Sequence, residues 1–556
     1  MSLQTMTSSR HRFAGDLGRA AEVAGVLVKY GLAGWLTDVN WAPVHDALKS
    51  HGGEVLSDQP FEARVRLALT DLGTTFIKLG QMLSTRPDVV GPALAAELSK
   101  LQRHAPPDPP EVAAKIVEAE LGRPISECFA SFDAEAFASA SIGQVHKAQL
   151  KSGRRVVVKV QHPGIEGVIR RDLDILRFLA EIAESSDTLK RFQPAGMIRE
   201  FGHAMLNELD FRRELRNLQT FRRNFAKDET VVFPRPYPNL TSGRVLTMDL
   251  LKGCRVSDGK NLDKLKVDRQ ELALNGATVF IQMIFRDGFY QADPHPGNFI
   301  ILKNGKIGLI DVGMVGRIDE QCRTQIEDIL MAAGDQDAER LTDNVLRITG
   351  RPQHFDRKAL SAELGELFQE YGTQPVEEFD LGGLLNQTMA ILHRHKLMTP
   401  SRMSTLIKCL VLLEGTAHLL SPTFSLAGLL APWKGKLVSQ RFSLNARFKR
   451  LRRMFVEWER LAEAIPRVVL NAMDRLEDGQ LAIRLEHRNL KSAVNRLMGG
   501  LFISSLLLSS ALLMSRNVPP LAWTISIPGA LGYIVALFYG VHLLWMYRNK
   551  ANKDEE

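Results

Sequence analysis

Apolar residues recur at helical spacing through most of the first hundred positions, and the pattern breaks at "RHAPPDPP" (Arg103 to Pro110). The first apolar stretch, "AAEVAGVLVKYGLAGWL", is interrupted by Glu22 and Lys29, so it reads as an amphipathic helix and not as a secretory signal. Near Val145 the period falls to two. "VHKAQL", "KSGR" and "VVVKVQ" predict a β-hairpin that turns over residues 151–154. "IEGVIRRDLDILRFLAEIAES" and "MIREFGHAMLNELDFRRELRNLQTF" each predict one amphipathic helix, and "VVF" and "GRVLTMDLL" predict strands. After Lys252 the pattern is mostly helical. The exception is "FIILKNGKIGLID", where Asn304-Gly305 signals a two-residue hairpin.

Two stretches near the C-terminus carry no charge. Leu497 to Met514 is 18 residues long, about 27 Å as a helix and near the thickness of a bilayer core. Leu521 to Met546 is the second, with Trp523, Trp545 and Tyr547 near its ends, as in an aromatic belt. Arg488, Lys491 and Arg496 precede the pair, and Arg548, Lys550 and Lys553 follow it. The positive-inside rule then places both flanks in the cytoplasm. The expected division is an N-terminal helical region over 1–105, a mixed lobe over 106–250 and a helical lobe over 251–430. A basic amphipathic region over 431–496 and two transmembrane helices over 497–546 complete it.

Charge sharpens this picture. The formal net charge is +8, which favours anionic partners. The densest basic run, "RFKRLRRM" (Arg447 to Met454), lies beside the two spans, where it suits anionic headgroups. The four cysteines, at 128, 254, 322 and 409, are far apart and signal neither a disulfide framework nor a zinc site.

The candidate chemistry begins at Lys159, in the middle of an apolar strand, because a buried ammonium needs a partner. In kinases such a lysine contacts nucleotide phosphates and pairs with a helix glutamate. Here Glu208, Asp210 and Glu214 stand on a following helix, with Asp210 and Glu214 on one face if the helix is regular. Asp293 and Asn298 have the spacing of a kinase catalytic aspartate and its metal-binding asparagine. Asp293 would orient or deprotonate an acceptor, and Asn298 would offer an amide oxygen to Mg2+. The hairpin that follows returns the chain beside Asn298 and delivers Asp311 to the same metal. Two residues after Asp293 stands His295, where protein kinases commonly carry lysine, which weakens a conventional kinase reading. The stretch before the first strand, "AFASASIGQ", has only Gly143 where a glycine-rich loop is expected.

With these motifs the chain resembles the UbiB/AarF family of atypical, protein-kinase-like proteins, over roughly residues 60 to 430. The motifs are "KLGQ" (Lys78, Gly80, Gln81), "ASASIGQVH", "VVVKVQHPG", "ELDFRRE", "DPHPGN" and "DVG". The resemblance implies an α+β, protein-kinase-like two-lobed fold with an N-terminal helical KxGQ extension and a C-terminal two-helix transmembrane anchor. It implies that Lys78 reaches toward Glu208 and Asp210 and that Glu214 pairs with Lys159. It implies a loop around ATP or ADP made of Ala138, Ser139, Ala140, Ser141, Ile142, Gly143, Gln144, Val145 and His146, with a hinge at Met248, Asp249 and Leu250. Asn298 and Asp311 would hold Mg2+. The family departs here at Ala136 and Phe137, where proline is frequent, and at Asp249, where glutamate is common. The activity implied is an ATPase or unorthodox kinase that supports isoprenoid quinone (ubiquinone) biosynthesis or lipid handling at the bacterial inner membrane. Its partners would be membrane lipids, prenylated quinone precursors and quinone-biosynthesis enzymes, without nucleic acid; a homodimer stays open. A small-molecule or lipid kinase, or a nucleotide-binding scaffold, is the alternative.

Overall fold

The structure, a computed structural model, describes residues 17–32, 59–101, 106–186, 190–350, 355–375, 379–430, 490–516, 518–522 and 525–551. The chain divides into two compact units, residues 1–446 and 447–556.

The first unit opens with α1 (Leu17–Lys29), α2 (Phe61–Asp71), α3 (Thr74–Leu83), the single turn α4 (Pro87–Val90) and α5 (Pro92–Leu98). After α6 (Pro110–Leu121) comes an antiparallel sheet of β1 (Ser131–Phe132), β2 (Ala138–Ser139), β3 (Gly143–Gln149), β4 (Arg155–Gln161) and later β6 (Val245–Asp249). The hairpin expected over 151–154 is present, with Gln149 opposite Arg155. Strand β4 shows the two-residue period directly. Val156, Val158 and Val160 are fully buried in a cluster with Ile116 and Val117 of α6, while Val157 and Lys159 turn to the opposite face.

Next comes α7 (Ile165–Ser185), as its pattern predicts. The following pattern does not give one helix. It breaks into α8 (Pro194–Glu208) and α9 (Phe211–Asn224), because the Asp210 side chain accepts the Arg212 N–H at 3.2 Å and caps the second helix. Glu208 and Glu214 therefore lie on different helices, and Asp210 does not share a helical face with Glu214. Helices α1, α3, α7 and α8 share one apolar cluster around Phe76, Ile169, Leu173 and Met205.

After β5 (Val231–Val232) and β6, the short strands β7 (Gly253–Arg255), β9 (Phe299–Leu302) and β10 (Ile307–Leu309) form a second sheet with β5. The hairpin expected at Asn304-Gly305 joins β9 to β10, but its loop has three residues, not two: Leu302 N–H donates to the Lys306 carbonyl across Lys303, Asn304 and Gly305, and Gly305 alone of the three takes a positive φ, +76°. Strands β8 (Phe289–Gln291) and β11 (Val315–Arg317) pair beside it. A Cβ on Gly316 would fall 2.1 Å from the Tyr290 ring, so only glycine fits there.

The helical part contains α10 (Arg269–Ile281), α11 (Glu320–Gly334), α12 (Ala338–Thr349), α13 (Arg357–Gly372), α14 (Leu381–Arg394) and α15 (Ser401–Leu420). Asp268, Asp319, Asp337, Asp356 and Asp380 cap the starts of α10 to α14, each accepting a first-turn N–H. Helix α15 carries Met403, Leu406, Cys409, Leu413 and Ala417 as buried residues.

The N-terminal helices are tied to this helical part by a buried polar knot. Arg86 donates twice to Asp88, at 2.9 Å each, and once to the Thr399 carbonyl at 3.0 Å. Thr399 returns its N–H and hydroxyl to Asp88, both at 2.9 Å. His393 Nδ1 lies 3.1 Å from the Asp88 carbonyl.

In the second unit, α16 (Leu490–Ser515) and α17 (Ile527–Ala551) pack together. A Cβ at Gly532 would meet the Ser510 hydroxyl at 2.1 Å, so small residues set the close approach. Met498, Leu501, Phe502, Leu508, Leu512, Leu537 and Phe538 are all exposed. The second uncharged span is not helical from its start: Leu521–Ala522 pairs with Ile525–Ser526 as a two-stranded ribbon, and α17 begins at Ile527. Among the described residues one helix, Ser401–Leu420, is long and apolar enough to cross a membrane, and it is a core helix here, 50% buried. The apolar stretches described in the second unit, Gly500–Ser515 and Ile527–Gly540, are shorter. The basic amphipathic region expected over 431–496 lies outside the described residues up to 489.

Replacing Asp88 with alanine strands the Arg86 guanidinium in a site where its side chain is 8% exposed. Breaking a buried pair in this way costs about 3–5 kcal/mol. The expected outcome is a lower urea midpoint, with amide exchange rising first in residues 74–98. Unchanged protection there means the knot does not hold the N-terminal helices down.

Candidate functional site

One cavity of about 1050 Å³ gathers the expected residues. All of them line it except Ser139 and His146. Strand alternation explains the second exception. His146 points to the other face of β3, is fully buried, stacks on Phe132 at 5.0 Å and lies 3.1 Å from the Gln144 amide.

At one side stands Lys159. Its Nζ lies 2.5 Å from Glu214 Oε1, and the two side chains are 18% and 7% exposed. Burial works against the ammonium, but the charges of Glu214 and Asp311 outweigh it and hold its pKa above the ordinary lysine value. Burial raises the Glu214 carboxyl, with Lys159 opposing. Three residues on from Glu214, Asn217 Nδ2 donates to the Val312 carbonyl at 2.9 Å, so α9 also grips the segment that carries Asp311.

That segment arrives as the hairpin dictates. Leu309 pairs with Phe299, and Ile310 N–H donates to the Asn298 carbonyl at 3.1 Å. Burial pulls the Asp311 carboxyl upward. Lys159 and the Gly313 N–H, 2.9 Å from Oδ1, outweigh burial and hold it below its ordinary value. Asn298 uses its amide nitrogen on the Asp293 carbonyl at 3.0 Å, which leaves the amide oxygen for a cation. One carboxylate and one amide oxygen in a single cavity suit Mg2+, which takes few protein ligands beside phosphates and water. Among the described residues there is no cluster of three or more His, Cys, Asp or Glu with metal-binding geometry.

Asp293 is 4% exposed. The Gln291 side chain braces it, accepting the Asp293 N–H at 3.1 Å and donating to its carbonyl at 2.8 Å. Lys408, from α15, places Nζ 3.4 Å from Asp293 Oδ1. Sequence reasoning missed Gln291, Asn217 and Lys408. A signal existed for the last: "TLIKCLVLL" sets one lysine in an apolar helix.

The alanine-rich loop is held from below. Ala140 N–H donates to the Gly143 carbonyl at 2.9 Å, and Asp108 and Ala140 O flank the His162 ring at 2.6 and 2.8 Å. A Cβ on Gly143 would meet the Val160 carbonyl at 2.3 Å. The loop's one glycine thus serves strand packing. Across the cavity, Asp249 accepts the Tyr237 hydroxyl at 2.7 Å, and Met248 and Leu250 line the wall.

Helix α3 brings Lys78 to the cavity, where it forms an ion pair with Glu208. Asp210, spent as a helix cap, has Arg216 3.9 Å away. Gly80 of α3 packs closely: a Cβ there would lie 2.3 Å from Leu101 Cδ1, so the Leu101 side chain would have to shift.

Replacing Lys159 with methionine leaves Glu214 and Asp311 buried without their cation, a cost of about 3–5 kcal/mol at neutral pH. The Glu214 pKa, already raised, rises further. A carboxyl raised on folding keeps its stability below the ordinary glutamate value of 4.5 and loses it as pH rises. The deficit against wild type, from denaturant midpoints, should be small near about pH 4 and widen toward about pH 8. A deficit flat in pH would mean that the pair is not its source.

Comparison with known proteins agrees with this geometry. Residues 100–345 match the ABC1 atypical kinase-like domain, residues 364–425 the UbiB helical domain and residues 484–548 the ABC1/UbiB kinase-like C-terminal domain. The chain is 28% identical over 533 residues to an uncharacterized protein in the hydrogenase 1 5' region of Clostridium pasteurianum, covering 95% of this chain and 98% of that one. It is 33% identical over 429 residues to a probable protein kinase UbiB of Pseudomonas putida, covering 76% and 79%. It is 32% identical over 406 residues to the chloroplastic protein Activity of BC1 Complex Kinase 1 of Arabidopsis thaliana, covering 72% of this chain and 59% of that protein. The helix-rich α+β fold, the cavity and these matches lead to one conclusion: the chain belongs to the ABC1/UbiB family of atypical kinase-like proteins.

Proposed function

We propose that the protein is a membrane-anchored, Mg-ATP-dependent ATPase or atypical kinase that supports isoprenoid quinone (ubiquinone) biosynthesis or lipid handling. The observation that carries the reading is the hairpin β9–β10, which sets Asp311 beside Asn298 in the cavity that Lys159 and Asp293 also line. The names of the relatives from Pseudomonas putida and Arabidopsis support a kinase-type reaction.

In this reading Asn298 and Asp311 hold Mg2+, which would neutralise phosphate charge when bound. Lys159 binds the nucleotide phosphates, and Glu214 fixes its position. Met248, Asp249 and Leu250 border the adenine, and the loop from Ala138 to Val145 covers the phosphates. Asp293 takes the proton of the attacking hydroxyl or water. Lys78, Gln81 and Met82 of α3 line the same cavity, which supports a water or small-molecule acceptor over a peptide.

The exposed apolar faces of α16 and α17, with basic residues on both flanks, support a hairpin anchor in the cytoplasmic membrane and a kinase-like unit in the cytoplasm. Anionic lipids are the expected partners, followed by prenylated quinone precursors and the enzymes that process them.

ATP turnover by the purified full-length protein with Mg2+ tests the reading, with and without anionic liposomes and a prenylated phenol. Turnover should rise with liposomes and fall at least about 100-fold in Asp311→Asn. Tight nucleotide binding without turnover in any condition would make the protein a nucleotide-binding scaffold instead.

A further inference from the structure

The cation beside the catalytic aspartate comes from an unexpected place. Protein kinases commonly set a lysine two residues after this aspartate; here that residue is His295. Its Nδ1 accepts the Gly297 N–H at 3.0 Å, so the ring shapes the turn at 296–298. The ammonium arrives instead from α15, more than a hundred residues later, with Lys408 Nζ 3.4 Å from Asp293 Oδ1.

The helix that carries it is fixed to the catalytic loop on both sides of Asp293. Cys409 Sγ donates to the Gln291 carbonyl at 3.4 Å, and Thr416 Oγ1 donates to the Pro294 carbonyl at 2.8 Å. Cys409 is fully buried, while Lys408 and Thr405, three residues apart, both line the cavity. A separation of 3.4 Å is longer than a charge-assisted hydrogen bond. The ammonium has three donors, so it can reach a second anion while staying beside Asp293. The other two lysines discussed at the site, Lys159 and Lys78, are paired with Glu214 and Glu208.

We infer that Lys408 is a catalytic residue that binds the terminal phosphoryl group during transfer, taking the place of the lysine absent from position 295. This rests on the Mg-ATP reading given above. In the step, the bond from the γ-phosphorus to the β–γ bridging oxygen breaks, and a bond forms from that phosphorus to the acceptor oxygen. The acceptor proton passes to Asp293, and the ADP oxygen takes the electron pair of the broken bond. The Lys408 N–H groups neutralise charge on the peripheral phosphoryl oxygens.

The test uses the full chain with Lys408→Met, which keeps the aliphatic stem, and Lys408→Arg, which keeps the charge. Titration calorimetry measures Mg-ADP and Mg-ATP affinity, and turnover gives kcat and KM. For Lys408→Met, ADP affinity should stay within about twofold, while kcat falls about 100-fold, the usual effect of removing one oxyanion-stabilising group. Lys408→Arg should regain at least about a tenth of kcat. Wild-type kcat in Lys408→Met overturns the inference. So does an equal loss of ADP and ATP affinity with a lowered melting temperature, which marks a structural ion pair. Failure of the Mg-ATP reading looks different: the wild type itself binds no nucleotide, or turns it over unaffected by Asp311→Asn.

Discussion

The buried pair of Lys159 and Glu214 sets the terms for the rest of the site. Taking both charges out of water is expensive, and the cost is recovered only when geometry and neighbours are right. Strand β4 must present Lys159 on the face opposite Val156, Val158 and Val160, and α9 must begin where it does to put Glu214 within reach. The same helix grips Val312 through Asn217, and Asp311 adds its charge to Lys159. One ion pair thereby links the first sheet, a helix and the segment that follows the β9–β10 hairpin, three segments far apart in sequence. Partial assembly would leave a charge stranded.

Much of this was legible in the chain. Lysine in an apolar strand, Asn-Gly between two short strands and the spacing of Asp293 and Asn298 are local signals, and each has a local physical cause. What stayed hidden depended on distant contacts. The periodicity of "MLNELDFRRELR" runs through the break between α8 and α9, because the deciding event is a side-chain cap, and Asp210 fits a helix face equally well on paper. The close packing at Gly80 and Gly143 is likewise set from afar, by the Leu101 side chain and the Val160 carbonyl. His146 sits inside the motif but on the wrong face of its strand. Lys408 stands in an apolar helix whose position over the segment from Gln291 to Asn298 no local pattern reveals.

The loop over the cavity shows how one composition can mislead. A run of alanine and serine with a single glycine suggests a phosphate loop that has lost flexibility. The structure gives that glycine a different task, and gives the loop its shape through Asp108, His162 and Gln144 beneath it. Its rigidity is set by a polar layer under the strand as much as by its own side chains.

The N-terminal helices touch the sheet-bearing part through Lys78 and Glu208, and the helical part through Asp88 and Thr399. An ordinary two-lobed enzyme opens like a book on one spine, and its covers swing independently of anything else. Here a second spine is fastened along the opposite edge. Swinging the covers apart therefore has to break one of these two sets of contacts, Lys78 with Glu208 or Asp88 with Thr399.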